Sequence, residues 1–380
     1  MNGAQALINT LVASGVDVCF MNPGTSEMHF VAALDSVPEM RGILGLFEGV
    51  VTGAADGYAR MADKPAATLL HLGPGLGNGL ANLHNARKGN VPVVNVVGDH
   101  ATYHKQYDAQ LESDIETVAR NVSSFIRWSA KTEEIGADTA DTVAAAWGPP
   151  GQVATLILPA DVSWGEGGEV APAPKPVEAN PIDAGRVAQI ADLLRSDEPA
   201  ALFIGGRACR ADALVAASRA SGASGAKLLC ETFPARLERG AGLPPVERLA
   251  YLAEFATMQL DGLKHLVLVD AKAPVSFFAY PGKASDLVPE GCTVHVLAEG
   301  HDDIAGLLAA LADELDAPAD GATLQEIARP ELPTGPLTAE GVCAALGALM
   351  PEGAIVSDEG NTSGLFAAGF TAGAPRHDWL

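Results

Sequence analysis

The sequence predicts an α/β chain built from successive doubly wound parallel-sheet domains. Three observations carry that reading. Short apolar runs alternate with helix-period segments of small residues, the runs end in Pro-Gly or Gly-rich turns, and the alternation restarts after two breaks rich in Pro and Gly, at 165–181 and 329–336. Strand, turn, helix, strand is the rhythm of a parallel sheet, whose ligands collect at the carboxyl ends of its strands.

Taken in order, residues 3–14 place Ala6, Leu7, Leu11 and Val12 on one helical face, and Ser14-Gly15-Val16 closes that helix. Val18 to Asn22 is a short apolar run that leaves through Pro23-Gly24. Leu46 to Arg60 reads as a helix that opens with one carboxylate, Glu48, and continues through Gly49, Gly53, Ala54 and Ala55, small enough to admit another backbone. A glutamate at a helix start is ordinarily solvated and suits the helix dipole. Phe47, Val50 and Val51 leave this one little polar company, and a buried carboxylate has a raised pKa that suits proton transfer near neutral pH. Pro65 to His71 is a second apolar run, opening into a Gly-rich turn, Leu72 to Gly79, followed by a helix over 80–87 and a buried strand over 91–98.

The next stretch, Asp99 to Asp108, carries His100, His104 and several other titratable groups, too many for packing filler. The histidines there read as surface residues. Val153 to Val162 is the last strand of a first domain spanning 1–164, and 165–184 is a linker. A second α/β domain, 185–330, holds strands at 200–206, 227–230, 265–270 and 293–297 and helices around 188–194 and 303–315. After 329–336 a third unit begins: a helix over 337–349, then a strand from Ala354 that runs into the polar turn holding Asn361 and Thr362.

Composition bounds the function. A chain of 380 residues has room for two or three cores, and 48% hydrophobic residues argue against large-scale disorder. A net charge of −23 argues against nucleic acid and anionic membrane as partners. Five scattered cysteines without metal-ligand spacing read as reduced cytosolic thiols. No basic region precedes the first apolar residues and no apolar run reaches transmembrane length, so the expectation is a soluble cytoplasmic enzyme. Gly73-x-Gly75-x-x-Asn78 fails the dinucleotide fingerprint at its last position, which argues against NAD.

The order Asn22-Pro23-Gly24, then Glu48 with Ala55-Asp56-Gly57-Tyr58-Ala59-Arg60, then Gly73-Pro74-Gly75 with Asn78, resembles the pyrimidine-binding domain of thiamine-diphosphate enzymes. The match is nearest to the acetolactate synthase large-subunit family, in its short actinobacterial form, with the benzoylformate decarboxylases next. The resemblance implies that Glu48 hydrogen-bonds a ring nitrogen of the aminopyrimidine, and that Pro23, Gly24, Gly73, Gly75 and Asn78 line the cofactor. Pro-Gly turns without any ligand are the plainer alternative. His71 stands where benzoylformate-type decarboxylases carry a substrate-handling histidine; it is either a proton shuttle or a structural histidine at a strand end. Asp108-Ala109 with Glu112 resembles a loop near the active-site mouth.

By the same resemblance the second domain is the central one, which holds FAD in some relatives. No fingerprint here requires it, so FAD is not expected. Residues 337–380 resemble the start of the diphosphate-binding domain, with Asn361 and Thr362 near the phosphates and the magnesium ligands beyond Leu380; no metal ligand is assigned within the chain. The implied reaction is decarboxylation of a small 2-oxo acid such as pyruvate, with possible acyl transfer, by a homodimer or homotetramer. A simple benzoylformate-type decarboxylase is the alternative within the class. A non-catalytic or half-site subunit, needing another chain for diphosphate and magnesium, is the alternative outside it.

Overall fold

The computed structural model describes residues 1–360 and 362–380, folded as two compact units, Met1–Glu178 and Ala179–Leu380. In the first unit the strands are β1 (Val18–Asn22), β2 (Arg41–Leu44), β3 (Ala66–Leu70), β4 (Val93–Asp99), β5 (Phe125–Trp128) and β6 (Val153–Pro159). They form one parallel sheet in the order β2-β1-β3-β4-β6-β5. Its helices are α1 (Gly3–Ala13), α2 (Met28–Leu34), α3 (Glu48–Ala62), α4 (Leu72–Lys88), α5 (Ile115–Ala119), α6 (Ile135–Trp147) and α7 (Ala160–Trp164).

Every residue of β3, β4 and β6 is buried, as expected of parallel strands covered on both faces. Alternate side chains serve opposite cores. Leu69, Val94 and Val96 pack with Leu7 and Leu11 of α1, Phe30 of α2 and Ile135 of α6. Leu70, Val93 and Val97 pack with Val51 and Ala55 of α3 and with Leu76 and Leu83 of α4. The pair α3 and α4 thus covers one face, and their small residues let the backbones meet: Thr52 Oγ1 donates to the Gly79 carbonyl at 2.9 Å, and Asn82 Nδ2 to the Gly49 carbonyl at 2.7 Å. The Gly-rich stretch after β3 is not a turn of eight residues as the sequence suggested. It is the opening of α4, because Pro74 is tolerated in a first helical turn, where its missing N–H has no partner to lose.

The second unit holds β7 (Ala200–Ile204), β8 (Lys227–Cys230), β9 (Leu237–Arg239), β10 (Glu247–Arg248), β11 (His265–Val269), β12 (Thr293–Ala298), β13 (Ala354–Val356) and β14 (His377–Trp379). A five-stranded parallel sheet runs β10-β8-β7-β11-β12. Helices α8 (Ala184–Leu194), α9 (Ala211–Ser224) and α11 (Ile304–Glu314) cover one of its faces, and α10 (Ala253–Leu260) covers the other. A three-stranded sheet, β13-β14-β9, joins the end of the chain to Leu237–Arg239, and Cys343 and Trp379 share a core with Leu237. Among the described residues no helix is long and apolar enough to cross a membrane.

Candidate active site

From β1 the chain steps outward to β2 and then crosses back to β3, so the strand order reverses between β1 and β3. In a doubly wound sheet the crevice at such a switch point is where a ligand sits. Asn22 stands in register with Leu70, which sets the Pro23-Gly24 turn beside the His71-Leu72 turn. Asn22 Nδ2 donates to the Gly45 carbonyl at 2.7 Å, drawing in the segment that leads from β2 to Glu48.

Glu48 is the first residue of α3, where the helix dipole favours a negative charge, and it is only 9% exposed. Asn78 Nδ2 donates to its Oε2 at 3.0 Å. Among the described residues none donates to its Oε1. A β-carbon at Gly75 would lie 3.1 Å from that oxygen, so the glycine keeps the approach to it open. The burial does not come from Phe47 and Val50, which are both exposed; of the apolar neighbours only Val51 is buried. The burial comes from α4, which lies across Glu48 through the Asn78 contact and the α3–α4 bonds.

His71 caps the start of α4, and Gly75 donates its N–H to the His71 carbonyl at 2.8 Å. Leu72, next to it, has φ +51, a left-handed conformation that costs a branched residue energy and marks a tightly determined turn. The imidazole occupies the space a β-carbon at Gly24 would need: such an atom would meet the ring at 2.3 Å. Gly73 is cleared in the same way for Ser113, also at 2.3 Å. Pro23 sits at the rim, half-buried.

His71 Nδ1 lies 2.7 Å from Oε2 of Glu27, a residue the sequence analysis did not single out. Glu27 has no exposed surface. Its Oε2 also accepts the N–H of Gly24 at 2.8 Å, whereas its Oε1 has no partner among the described residues. Gly98 on β4 makes room for Oε1, since a β-carbon there would come within 1.6 Å of it. Burial pushes the Glu27 pKa up; the bonds from Gly24 and His71 only partly offset it. The available signal was a glutamate three residues after a Pro-Gly turn, the spacing at which a carboxylate reaches back to a backbone N–H.

Lys105 Nζ binds Asp99, at the carboxyl end of β4, at 2.9 Å and Glu112 at 2.7 Å, which fastens the 100–112 loop to this edge of the sheet. Burial opposes its charge, but the two carboxylates prevail and raise its pKa. Thr362 is exposed and opens a short helical turn in the second unit. Asn361 lies outside the described residues.

A sequence profile described as "Thiamine pyrophosphate enzyme, N-terminal TPP binding domain" matches residues 1–119. A Mycobacterium tuberculosis protein, provisionally named acetolactate synthase large subunit IlvX, is 63% identical over 381 residues, which span all of this chain and 73% of that protein. Among solved structures, a Mycobacterium smegmatis protein provisionally titled a thiamin diphosphate-dependent enzyme superposes with a TM-score of 0.81 at 22% identity, covering 100% of this chain and 76% of that one. The Rhodococcus jostii thiamine diphosphate-dependent 4-hydroxybenzoylformate decarboxylase gives the same TM-score at 18% identity, covering 100% and 75%. With a relative this similar over all of this chain, and with that fold, the chain belongs to the thiamine-diphosphate-dependent enzymes, in the acetolactate synthase large-subunit-like family.

Proposed function

We propose that the first unit supplies the aminopyrimidine side of a thiamine-diphosphate site that decarboxylates a small 2-oxo acid, with possible transfer of the acyl unit to a second carbonyl compound. One observation carries this reading: Glu48 is a buried carboxylate at the switch point, with one oxygen fixed by Asn78 and the other beside Gly75, where a β-carbon would come within 3.1 Å of it. The residues present fit the ring. Glu48 would exchange a proton at Oε1 with a ring nitrogen, while Asn78 keeps the carboxylate from turning away. Pro23, Gly24, Gly73 and Gly75 would form the backbone wall.

Thiamine diphosphate, when bound, supplies an acidic thiazolium carbon that takes up the electrons released on decarboxylation. His71 would hold or pass a proton at Nε2, since its Nδ1 is committed to Glu27. Magnesium is proposed as the counterion of the diphosphate, with ligands outside this chain's first unit, and a homodimer or homotetramer as the assembly. Nothing in the reading requires FAD.

The His71–Glu27 pair favours a second reading, a benzoylformate-type decarboxylase that releases an aldehyde. Product analysis with pyruvate and with benzoylformate, in the presence of thiamine diphosphate and magnesium, separates the two: acetolactate marks the synthase, benzaldehyde the decarboxylase. Absence of turnover of either acid by the full protein, with cofactor binding intact, would instead support a half-site subunit.

A further inference from the structure

The second unit has a switch point of its own. From β7 the chain steps to β8 and β10 on one side and then crosses to β11 on the other, so the strand order reverses between β7 and β11. The crevice there is where a doubly wound sheet takes a nucleotide, with the phosphates on the Gly-rich turn and helix N-terminus that follow the strand. In this chain that element is Gly205-Gly206-Arg207 after β7, a short helical turn over Gly206–Cys209, and then α9. The resemblance that makes this unit the central domain implies FAD there in some relatives.

The N–H groups of this element are already engaged. Gly206 donates to Oε1 of Glu231 at 3.0 Å, and Arg207 donates to Oδ2 of Asp270 at 2.7 Å. Ala211, the first residue of α9, donates to Oε2 of Glu238 at 3.0 Å. Gly205 donates to the Val269 carbonyl at 3.0 Å, and Ala208 to that of Gly205 at 2.9 Å. Three carboxylates from three other segments, after β8, after β11 and on β9, thus take the positions that phosphate oxygens would take.

The carboxylates are closely fitted. A β-carbon at Gly205 would lie 2.7 Å from Glu231 Oε1, and one at Gly206 would lie 2.3 Å from Asp270 Oδ2, so both glycines make room for the chain's own acids. Asp270 is held at φ +51, a left-handed conformation that marks a tightly determined position. Glu238 stands 3.4 Å from Arg236 and 3.7 Å from Arg210. Burial raises the pKa of both Glu231 and Asp270, and Asp270 adds to the rise of Glu231; Lys272 and Arg207 offset only part of this. The turn already carries more negative charge than its surroundings favour, and a diphosphate would add to it.

We infer that Glu231, Asp270 and Glu238 are built-in anions that close the β7–α9 element to nucleotide phosphates, so that FAD does not fit the second unit as the resemblance implies. The inference is independent of the reaction proposed for the first unit, and its test reads no turnover.

The test follows the backbone amide resonances of Gly206, Arg207 and Ala211 in the ¹⁵N-labelled full chain during titration with FAD and, separately, with ADP. Neither ligand is expected to move them up to about 1 mM. Glu231→Ala combined with Asp270→Gly frees two N–H groups, and the glycine takes the left-handed conformation without strain. In that variant inorganic pyrophosphate is expected to shift Gly206 and Arg207 saturably, and to bind at least about 10-fold more tightly than to the wild type, the effect of one charge-assisted hydrogen bond gained. A saturable shift of these resonances by FAD or ADP in the wild type would overturn the assignment, as would a folded double variant that binds pyrophosphate no better. Should the double variant fail to fold, the wild type decides by pH. The Gly206 resonance is expected to follow the titration of Glu231, and one that stays flat between about pH 5 and 9 would show that this carboxylate does not hold the turn.

Discussion

His71 Nδ1 and Glu27 Oε2 stand 2.7 Å apart, joining a carboxylate with no exposed surface to an imidazole that is part-exposed in the cleft. When Glu27 is ionised it can only accept, which places the imidazole proton on Nδ1 and leaves Nε2 as the uncommitted nitrogen. Gly24 and His71 bond the same oxygen, so a Gln at position 27 that puts its carbonyl there keeps both bonds and removes only the negative charge, whereas a Met keeps the bulk and removes the acceptor. Glu27→Met is therefore expected to lower kcat about 10-fold or more with a much smaller change in KM, and Glu27→Gln to lower it less. The ¹⁵N shifts of His71 should report loss of the fixed tautomer in the Met variant and its retention in the Gln variant. Unchanged shifts in the Met variant together with a lower kcat would mean that Glu27 acts only by packing.

How much of this was legible in the sequence follows from which residues advertise themselves. The apolar runs of β3, β4 and β6 are buried on both faces and that of β1 mostly so, and they read plainly; Glu48 was conspicuous as a charge among apolar residues. The edge strands β2 and β5, with sequences RGIL and FIRW, are short and only partly covered, so no pattern marked them. Glu27 was missed because its burial is made by strangers in sequence: His71 is 44 residues away, and Gly98 is removed further still. The protected face of Glu48 was attributed to its neighbours when it is in fact made by α4, since local sequence cannot say which helix will lie across another. The glycines were read as room for a ligand ring, and the structure adds that Gly24 and Gly73 make room for His71 and Ser113.

A second expectation concerns the centre of the first sheet. Asn95 lies fully buried in β4, accepting from Thr68 Oγ1 at 2.8 Å and donating to Thr155 Oγ1 at 3.0 Å; Ser123 continues the chain at 2.5 Å. Removing Asn95 strands the buried Thr68 hydroxyl, leaves Thr155 with Ser123 alone, and opens a cavity. Asn95→Ala should cost about 2–3 kcal/mol in urea unfolding. Adding Thr68→Val in the same chain, which replaces the stranded hydroxyl by a methyl, should recover part of that loss. A cost below about 0.5 kcal/mol would show the network to be incidental.

The second unit offers a prediction in pH. Glu231 follows β8, and its Oε1 accepts the N–H of Gly206 at 3.0 Å. Burial pushes its pKa from 4.5 up to about 7, with Asp270 adding to the rise. The folded value exceeds the unfolded one, so the native state holds this proton more firmly. The benefit is complete below pH 4.5 and is lost as pH rises through 7. A rise of about 2.5 (7 minus 4.5) corresponds to ~3 kcal/mol at most. Glu231→Gln keeps the Gly206 bond and should stabilise the protein by about 1–3 kcal/mol near pH 8 but by less than about 1 kcal/mol near pH 5. Equal gains at both pH values would point to packing and not to charge.

The sharpest expectation falls on Glu48 and Asn78. Glu48→Gln preserves the shape of the side chain and its place on α3, while removing the capacity to exchange a proton at Oε1. Loss of a positioned proton-transfer group lowers rates by roughly 10²–10⁴-fold, and turnover of the 2-oxo acid should fall within that range while the circular dichroism spectrum and unfolding midpoint stay near those of the wild type. Asn78→Ala leaves the carboxylate but frees Oε2, so a loss of about 10-fold is expected, because orientation and not chemistry is impaired. If both variants were folded, bound thiamine diphosphate and kept full activity, proton exchange at Glu48 would have no part in the reaction. If Asn78→Ala were as inactive as Glu48→Gln, the hydrogen bond at 3.0 Å would matter as much as the carboxylate it holds.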